Sequence, residues 1–411
     1  MSVQSNLFNI LQERGFVQQA SNEDALRDLF SNEQVSAYIG FDPSSDSLHV
    51  GSLLQIIMLV HVQRAGHRPV AVIGGGTGLV GDPSGKDEMR QLMEKERLEK
   101  NFNALRKQLS LYLDFNGGKA VAVNNADWLE PLNYIDFLRE IGRHFSVNRM
   151  LSAEAYKQRM EKGLSFLEFN YQLLQAYDFL VLYRKYGCRV QMGGDDQWGN
   201  ILAGVDIIRR MEGVEAYALT SALLTTAEGK KMGKTAKGAV WLDSKKTSVY
   251  DFYQYWINVD DRDVEKFLRI FTFLPLSEIQ KLARLEHEEK REAKKILARE
   301  VTAFVHGEKE AKKAAEASEA LFEGKGEISD APCSRWSAAK LDEGTTIVDL
   351  LVITSLCDSK SNASRLVKQG GAYINGERIT DFRHRVTNSD FSEEGLLLRA
   401  GKKKYHRVIL E

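Results

Sequence analysis

The chain has 411 residues, with Lys+Arg 56 against Asp+Glu 57 and a formal charge of -1. That length exceeds what one compact core usually takes, so two or three domains are expected. Hydrophobic content of 43% and aromatic content of 9% exclude a wholly disordered chain, and near-neutrality removes any whole-protein case for nucleic-acid binding by bulk charge. Cys188, Cys333 and Cys357 are odd in number and far apart, without a Cys-x-x-Cys pair, so neither a disulfide framework nor a zinc site is expected. Residues 1–14 lack the basic stretch and apolar run of a secretory signal, and no apolar run reaches the roughly 20 residues that span a bilayer. A cytoplasmic protein is expected, with no membrane partner.

Residues 35–40 read as a strand, 51–65 as an apolar helix, and 69–74 as a second buried strand ending in glycines. Residues 86–113 read as a long charged helix. Later strands are expected at 121–123, 189–192 and 239–242, with a helix over 169–183 between the first two. Strands separated by helices argue for a parallel sheet covered on both faces. From 248 to about 320 the pattern is helical and charged, without a strand signal. Residues 323–344 mix Gly, Ser, Pro and charges without periodicity, as a linker does. A small α/β unit follows.

Gly76-Thr77-Gly78-Leu79-Val80-Gly81 fits a dinucleotide fingerprint, but Asp82-Pro83 then breaks the helix that would receive a pyrophosphate. Gly81 to Lys86 is one residue short of a P-loop, and Asp87 stands where Ser or Thr would bind magnesium. A different nucleotide site is announced by Asp46-Ser47-Leu48-His49-Val50-Gly51 at the junction of the first strand and the apolar helix. A helix start offers unsatisfied N–H groups to phosphate, Gly51 lets a nucleotide approach, and His49 can donate to a phosphate oxygen. Alone, such a histidine is more often a cap. Glu228-Gly229-Lys230-Lys231-Met232-Gly233-Lys234-Thr235 adds a Gly-rich loop with closely spaced lysines, which alone would be a solvated turn.

Together these two segments resemble the class I aminoacyl-tRNA synthetases, whose signatures, commonly written HIGH and KMSKS, bracket ATP. Tyr38-Ile39-Gly40-Phe41-Asp42-Pro43, the run from Gly78 to Lys86, the run from Asn170 to Phe179, and the run from Gln191 to Asn200 resemble the bacterial tyrosyl-tRNA synthetases in particular. The resemblance covers essentially the whole chain. It implies an α/β fold: a Rossmann-like parallel sheet catalytic domain over 1–246, with a helical insertion and homodimer contact at roughly 116–165 and the lysine loop at 230–235. An α-helical tRNA-contacting domain (247–322), a linker (323–344) and an S4-like α/β RNA-binding domain (345–411) would follow. The implied reaction activates L-tyrosine with ATP and Mg2+ and charges tRNA(Tyr), with no organic cofactor and no metal site on the protein.

By the same resemblance, Tyr38 and Asp178 meet the phenol hydroxyl of tyrosine, while Asp82, Tyr171 and Gln175 hold its ammonium group, and Asp42 joins this pocket. His49, Gly51, Ser52, Gly194, Asp196 and Lys234 fall to ATP, and Gln197 to the reacting carboxylate. Lys86, Arg90, Lys231 and Lys234 would surround pyrophosphate, with Thr235 donating a hydrogen bond. Independently of any family, Tyr171, Gln175 and Asp178 are spaced by four and three, so they share one face of an otherwise apolar helix.

Three departures stand out: Ser52 replaces the second histidine of the first signature, Gly233 replaces the serine of the second, and Asp195 adds a carboxylate beside Asp196. Asp195 would oppose phosphate unless it is paired or screened. At the C-terminus, 359–371 reads as a capped helix ending at glycines and 372–379 as a hairpin with an Asn-Gly turn, resembling the S4-type RNA-binding fold. From residue 359 on there are 11 Lys+Arg and 6 Asp+Glu, a local net charge of +5. Arg365 and Lys368 share a helical face suited to RNA phosphates. A nicotinamide oxidoreductase, a small-molecule adenylyltransferase and a purely RNA-binding protein are the rival readings.

Overall fold

The computed structural model describes residues 6–84, 93–152, 156–157, 160–161, 163–229, 232–235, 238–286, 289–323, 333–338, 341, 344–354, 356–392, 395–401 and 404–411. Side chains at 152, 234–235, 321–323 and 404 also lie outside the description. Contacts divide the chain into two compact units, 1–232 with 266–277, and 233–265 with 278–411.

The first unit is built on a six-stranded sheet. Its strands are β1 (Gln19–Ala20), β2 (Ser36–Phe41), β3 (Arg68–Ile73), β4 (Val121–Asn124), β5 (Cys188–Gly194) and β6 (Tyr217–Ser221), in the order β1-β6-β5-β2-β3-β4. All neighbours pair in parallel except the edge strand β1, which runs antiparallel to β6. The chain winds outward from β2 through β3 and β4 on one side and through β5 and β6 on the other. The order therefore reverses between β2 and β5, where doubly wound sheets bind ligands beyond the carboxyl ends of their strands.

Two helices face that crevice. Val50–Arg64 is buried through nearly its whole length because its residues are apolar all round. Phe166–Tyr186 opens on a capping box between Ser165 and Glu168. It buries Leu173, Ala176, Phe179, Leu180 and Leu182 in a core shared with Val70, Val72 and Ile207. Helix Trp198–Glu212 lies against it at Gly204, where a Cβ would sit 2.8 Å from Cδ1 of Phe179.

The second unit contains a helical part and a C-terminal sheet. Helices Val249–Ile257, Lys290–His306 and Glu308–Glu323 pack around Phe252 and Trp256, both fully buried. A two-stranded ribbon, β7 (Lys234–Thr235) with β8 (Gly238–Ala239), precedes them. Strands β9 (Cys333–Trp336), β10 (Ala372–Ile374), β11 (Glu377–Ile379), β12 (Leu396–Ala400) and β13 (Lys404–Leu410) form a sheet ordered β11-β10-β12-β13-β9. Ile347, Leu350, Leu351 and Val367 of helices Ile347–Ile353 and Lys360–Lys368 share its core. The Asn375-Gly376 turn has φ of 49° and 88°, as a tight hairpin requires.

Three expectations are corrected. The charged helix begins at Lys95, since 93–94 are not helical and 85–92 lie outside the description. Residues 239–242 do not join the parallel sheet: Ala239 ends the ribbon, and β6 takes the place the sequence reading gave them, because Tyr217–Ser221 has too few apolar neighbours to announce itself. The stretch read as linker contains β9, which pairs in parallel with β13 by backbone hydrogen bonds that no side-chain pattern reports.

The Phe179–Gly204 approach is testable. Gly204→Val should lower stability by about 1–3 kcal/mol, as overpacking does, measured as a fall in the urea midpoint; an unchanged midpoint would mean the helices can separate at no cost.

Candidate active site

The strand ends converge. Asp42 follows β2, Gly74 to Ser84 follow β3, Asn125 follows β4, and Gly194 to Gln197 close β5 and the short turn Asp195–Gln197. Tyr38 and Gln191 are register partners on β2 and β5, and so lie side by side on the sheet.

Asp178 is 4% exposed. Its two oxygens are held separately: Trp128 Nε1–H donates to Oδ1 at 2.7 Å, and Asn125 Nδ2–H donates to Oδ2 at 2.9 Å. Burial pushes its carboxyl up to about 7, against the lowering effect of those two donors. Asn125 also donates to Thr77 Oγ1 at 2.9 Å and accepts from the Gly76 N–H at 2.8 Å, which ties Asp178 to the glycine cluster. Tyr38 is 2% exposed with its ring edge-on to Phe179, and its hydroxyl has no hydrogen-bond partner among the described residues. Burial, and then the neighbouring Asp178, raise that hydroxyl's pKa well above its ordinary value. Gln191 Oε1 is likewise buried without a partner.

A second buried carboxylate, Asp82, lies among polar groups. Asp82 accepts from the Ser84 N–H at 2.9 Å and from Gln197 Nε2–H at 2.7 Å. Burial, and then repulsion from Asp42, push it up to about 6, which the two donors partly offset. Tyr171 is buried and is also influenced by Asp42, Asp82 and Asp178. Gln175 Oε1 accepts from Asn200 Nδ2–H at 3.1 Å, and Gln197 reaches Asp196 at 3.3 Å. Tyr38, Asp42, Asp82, Tyr171, Gln175, Asp178, Asp196 and Gln197 thus fall in one connected cluster.

At the start of helix Val50–Arg64, His49 Nδ1 accepts the Gly51 N–H at 2.9 Å. The cap reading and the phosphate reading are therefore compatible: with Nδ1 an acceptor, the neutral ring carries its proton on Nε2. A Cβ on Gly51 would meet the imidazole at 2.6 Å, and the Met232 carbonyl lies 3.6 Å from the same point. Ser52 is half-buried on the first turn, its N–H bonded to the His49 carbonyl at 2.8 Å.

The other departures acquire physical reasons. Gly233 has φ of 81°, a left-handed conformation in which a serine would be strained. Its N–H donates to the Tyr255 hydroxyl at 3.1 Å. Asp195 is paired, accepting from Gln19 and Thr220. Lys86, Arg90 and Lys231 lie outside the described residues, as do the side chains of Lys234 and Thr235, which stand on β7. In the second unit, Arg365 and Lys368 are exposed on helix Lys360–Lys368. Lys368 Nζ stands 4.6 Å from the Phe382 ring centre, with Arg383 at 5.3 Å.

Sequence reasoning missed Asn125 and Trp128. A polar residue directly after a buried strand was the available signal, since strand ends carry the site in this architecture.

Residues 31–323 match the family of class I tRNA synthetases (W and Y), the class that this sheet, crevice and helix start define, and 327–408 match the tyrosine–tRNA ligase SYY-like C-terminal domain. The tyrosine–tRNA ligase of Clostridium botulinum is 56% identical over 408 residues, covering 99% of this chain and 100% of that protein. That of Clostridium tetani is 55% identical over 407 residues, with the same coverage. The crystal structure of a C-terminally truncated mitochondrial tyrosyl-tRNA synthetase from Aspergillus nidulans superposes with a TM-score of 0.70 at 30% identity, covering 77% of this chain and 94% of that one. The chain belongs to the tyrosine–tRNA ligases of this class I family.

The raised carboxyl of Asp178 predicts a pH dependence of stability. Its folded pKa of about 7 exceeds the ordinary 3.8, so the folded state holds a proton that the unfolded chain releases. The contribution of this group to stability is fully present at low pH and is lost as pH rises from the ordinary value through the folded one, by on the order of a few kcal/mol. Asp82 adds a smaller fall in the same direction. Thermal midpoints of the wild type and Asp178→Asn across this window should converge at the acid end and diverge toward neutrality, the variant keeping more stability; parallel curves would contradict the assignment.

Proposed function

We propose that the chain activates L-tyrosine with ATP and transfers the tyrosyl group to the 3′-terminal adenosine of tRNA(Tyr). The observation that carries this is the pairing of a buried carboxylate, Asp178, with the partnerless buried hydroxyl of Tyr38. Such a pair, buried beside apolar side chains, would suit a ligand ending in a phenol hydroxyl, which both donates and accepts. An indole N–H only donates, which disfavours tryptophan. At the other end, Asp82, Tyr171 and Gln175, with Asp42 nearby, would receive the ammonium group.

In the first step a carboxylate oxygen of tyrosine attacks the α-phosphorus of ATP and the bond to pyrophosphate breaks. In the second, the ribose hydroxyl of the tRNA attacks the tyrosyl carbonyl and AMP leaves. Neither step needs a side-chain nucleophile; both need positioning and cations where charge builds up. Gly194 and Asp196 would hold the ribose, Gln197 the reacting carboxylate, and His49, Gly51 and Ser52 the phosphates. Lys86, Arg90, Lys231, Lys234 and Thr235 would take the pyrophosphate charge, and Mg2+ would enter as part of the ATP substrate.

Two partner surfaces complete the reading. A homodimer contact at the helical insertion is supported by exposed apolar side chains there and beside it, among them Tyr134 at 56%, Ile135 at 60%, Val147 at 55% and Phe166 at 70%. RNA contact through the C-terminal part is supported by Arg365 and Lys368 on one exposed helical face. Among the described residues no helix is long and apolar enough to cross a membrane.

Tyrosine-dependent ATP–pyrophosphate exchange tests the core of this. Asp178→Ala should weaken tyrosine use roughly ten- to a hundredfold, the worth of a hydrogen bond to a charged group, while KM for ATP stays near wild type. An unchanged preference for tyrosine over phenylalanine would remove Asp178 from the pocket. Lys234→Ala should instead lower the adenylation rate constant and spare tyrosine binding, because its contact strengthens only as pyrophosphate departs; pre-steady-state kinetics with a normal rate and a weakened tyrosine complex would contradict it.

A further inference from the structure

Among the carboxylates near the crevice, Asp195 is bonded to side chains of the neighbouring strands β1 and β6. It opens the turn Asp195–Gln197, directly before Asp196 and Gln197. Its Oδ1 accepts two hydrogen bonds, from Gln19 Nε2–H at 2.6 Å and from the Thr220 hydroxyl at 2.9 Å. Those donors are themselves register partners across β1 and β6, and Thr220 is fully buried. The first residues of the edge strand, the last residues of β6 and the turn after β5 are therefore pinned at one atom.

The far side of the turn is where geometry matters. Gln197 Nε2 bridges Asp82 at 2.7 Å and Asp196 at 3.3 Å, and a Cβ on Gly194 would lie 2.5 Å from Asp196 Oδ1. Asp196 therefore folds tightly over Gly194, and a small rotation of the turn would displace both Asp196 and Gln197. Only one residue, Asp196, separates the anchored Asp195 from the bridging Gln197, so slack at one end passes to the other.

We propose that Asp195 is a positioning residue for the nucleotide half of the site: by anchoring the turn to Gln19 and Thr220 it sets the pose of Asp196 and Gln197 toward the ribose and the reacting carboxylate. The inference rests on the assignment of Gly194 and Asp196 to ATP made above. Two consequences separate it from plain structural support. The role needs an acceptor rather than a negative charge, and it acts on ATP rather than on the tyrosine side chain, whose partners stand on β2 and helix Phe166–Tyr186.

The experiment measures pyrophosphate exchange by the full-length chain, with ATP and tyrosine varied separately. Asp195→Ala should raise KM for ATP on the order of tenfold, with a clearly smaller rise in KM for tyrosine, transmitted through Gln197 and Asp82. Asp195→Asn, whose carbonyl oxygen can accept from both donors, should restore most of the loss. Thr220→Val should reproduce part of the defect and add little to Asp195→Ala, because the Thr220 contact is already lost in that variant. Asp196→Ala serves as the reference. If it raises KM for ATP while Asp195→Ala does not, the positioning role is overturned and the ATP assignment stands. If neither moves it, the ATP assignment itself fails. Equal loss toward both substrates, or failure of Asp195→Asn to recover, would reduce Asp195 to general support of the fold.

Discussion

A buried carboxyl group fixes the design of this site. Asp178 sits on a helix too apolar for the surface, and an unpartnered charge there would be too costly to keep. Its two oxygens must be met from elements that leave the sheet edge nearby, and they are, by Asn125 after β4 and Trp128 in the short helix behind it. Asn125 in turn fastens the glycine cluster after β3 through Gly76 and Thr77. One buried carboxyl thereby ties together the two connections that leave the carboxyl ends of β3 and β4. The reversal of strand order between β2 and β5 opens the crevice that these connections line.

How much of this is legible in the sequence depends on where the information lies. The face shared by Tyr171, Gln175 and Asp178 follows from helical spacing alone, and it leads into the pocket cluster. Buried strands β2, β3 and β5 are visible as apolar runs, each within a residue or two of its observed bounds. What escapes is pairing that backbone groups alone decide: β1 is two residues long, β6 carries Thr220 and Ser221 among few apolar neighbours, and β9 joins β13 across the gap in sequence. The partners of Asp178 also escape, because Asn125 and Trp128 come from a different strand end and only the fold brings them there.

The departures from the synthetase signatures are easier to understand with backbone angles and partners in hand. Gly233 takes a positive φ and has its N–H held by Tyr255, so glycine there answers a conformational need of the turn rather than merely loosening it. The second carboxylate at 195 is paired within the sheet, since Gln19 and Thr220 both donate to its Oδ1. In both cases a residue that looks anomalous in a motif is explained by a neighbour far away in sequence.

The two acids of the pocket also differ in a way that bears on the proposed selectivity. Asp178 is met by one amide and one indole N–H, both rigidly placed, and its environment favours the protonated form up to about 7. Asp82 stands among Ser84, Gln197 and the charge of Asp42, in a polar network that can relax around a cation. A phenol hydroxyl placed as proposed at Asp178 and Tyr38 would satisfy a hydroxyl that has no partner among the described residues, whereas a bare ring edge would leave it stranded. An ammonium group arriving near Asp42 and Asp82 relieves the repulsion between them. Each end of the proposed ligand thus supplies what the folded protein lacks at that end, and a ligand with only one of the two groups gains only one of the two reliefs.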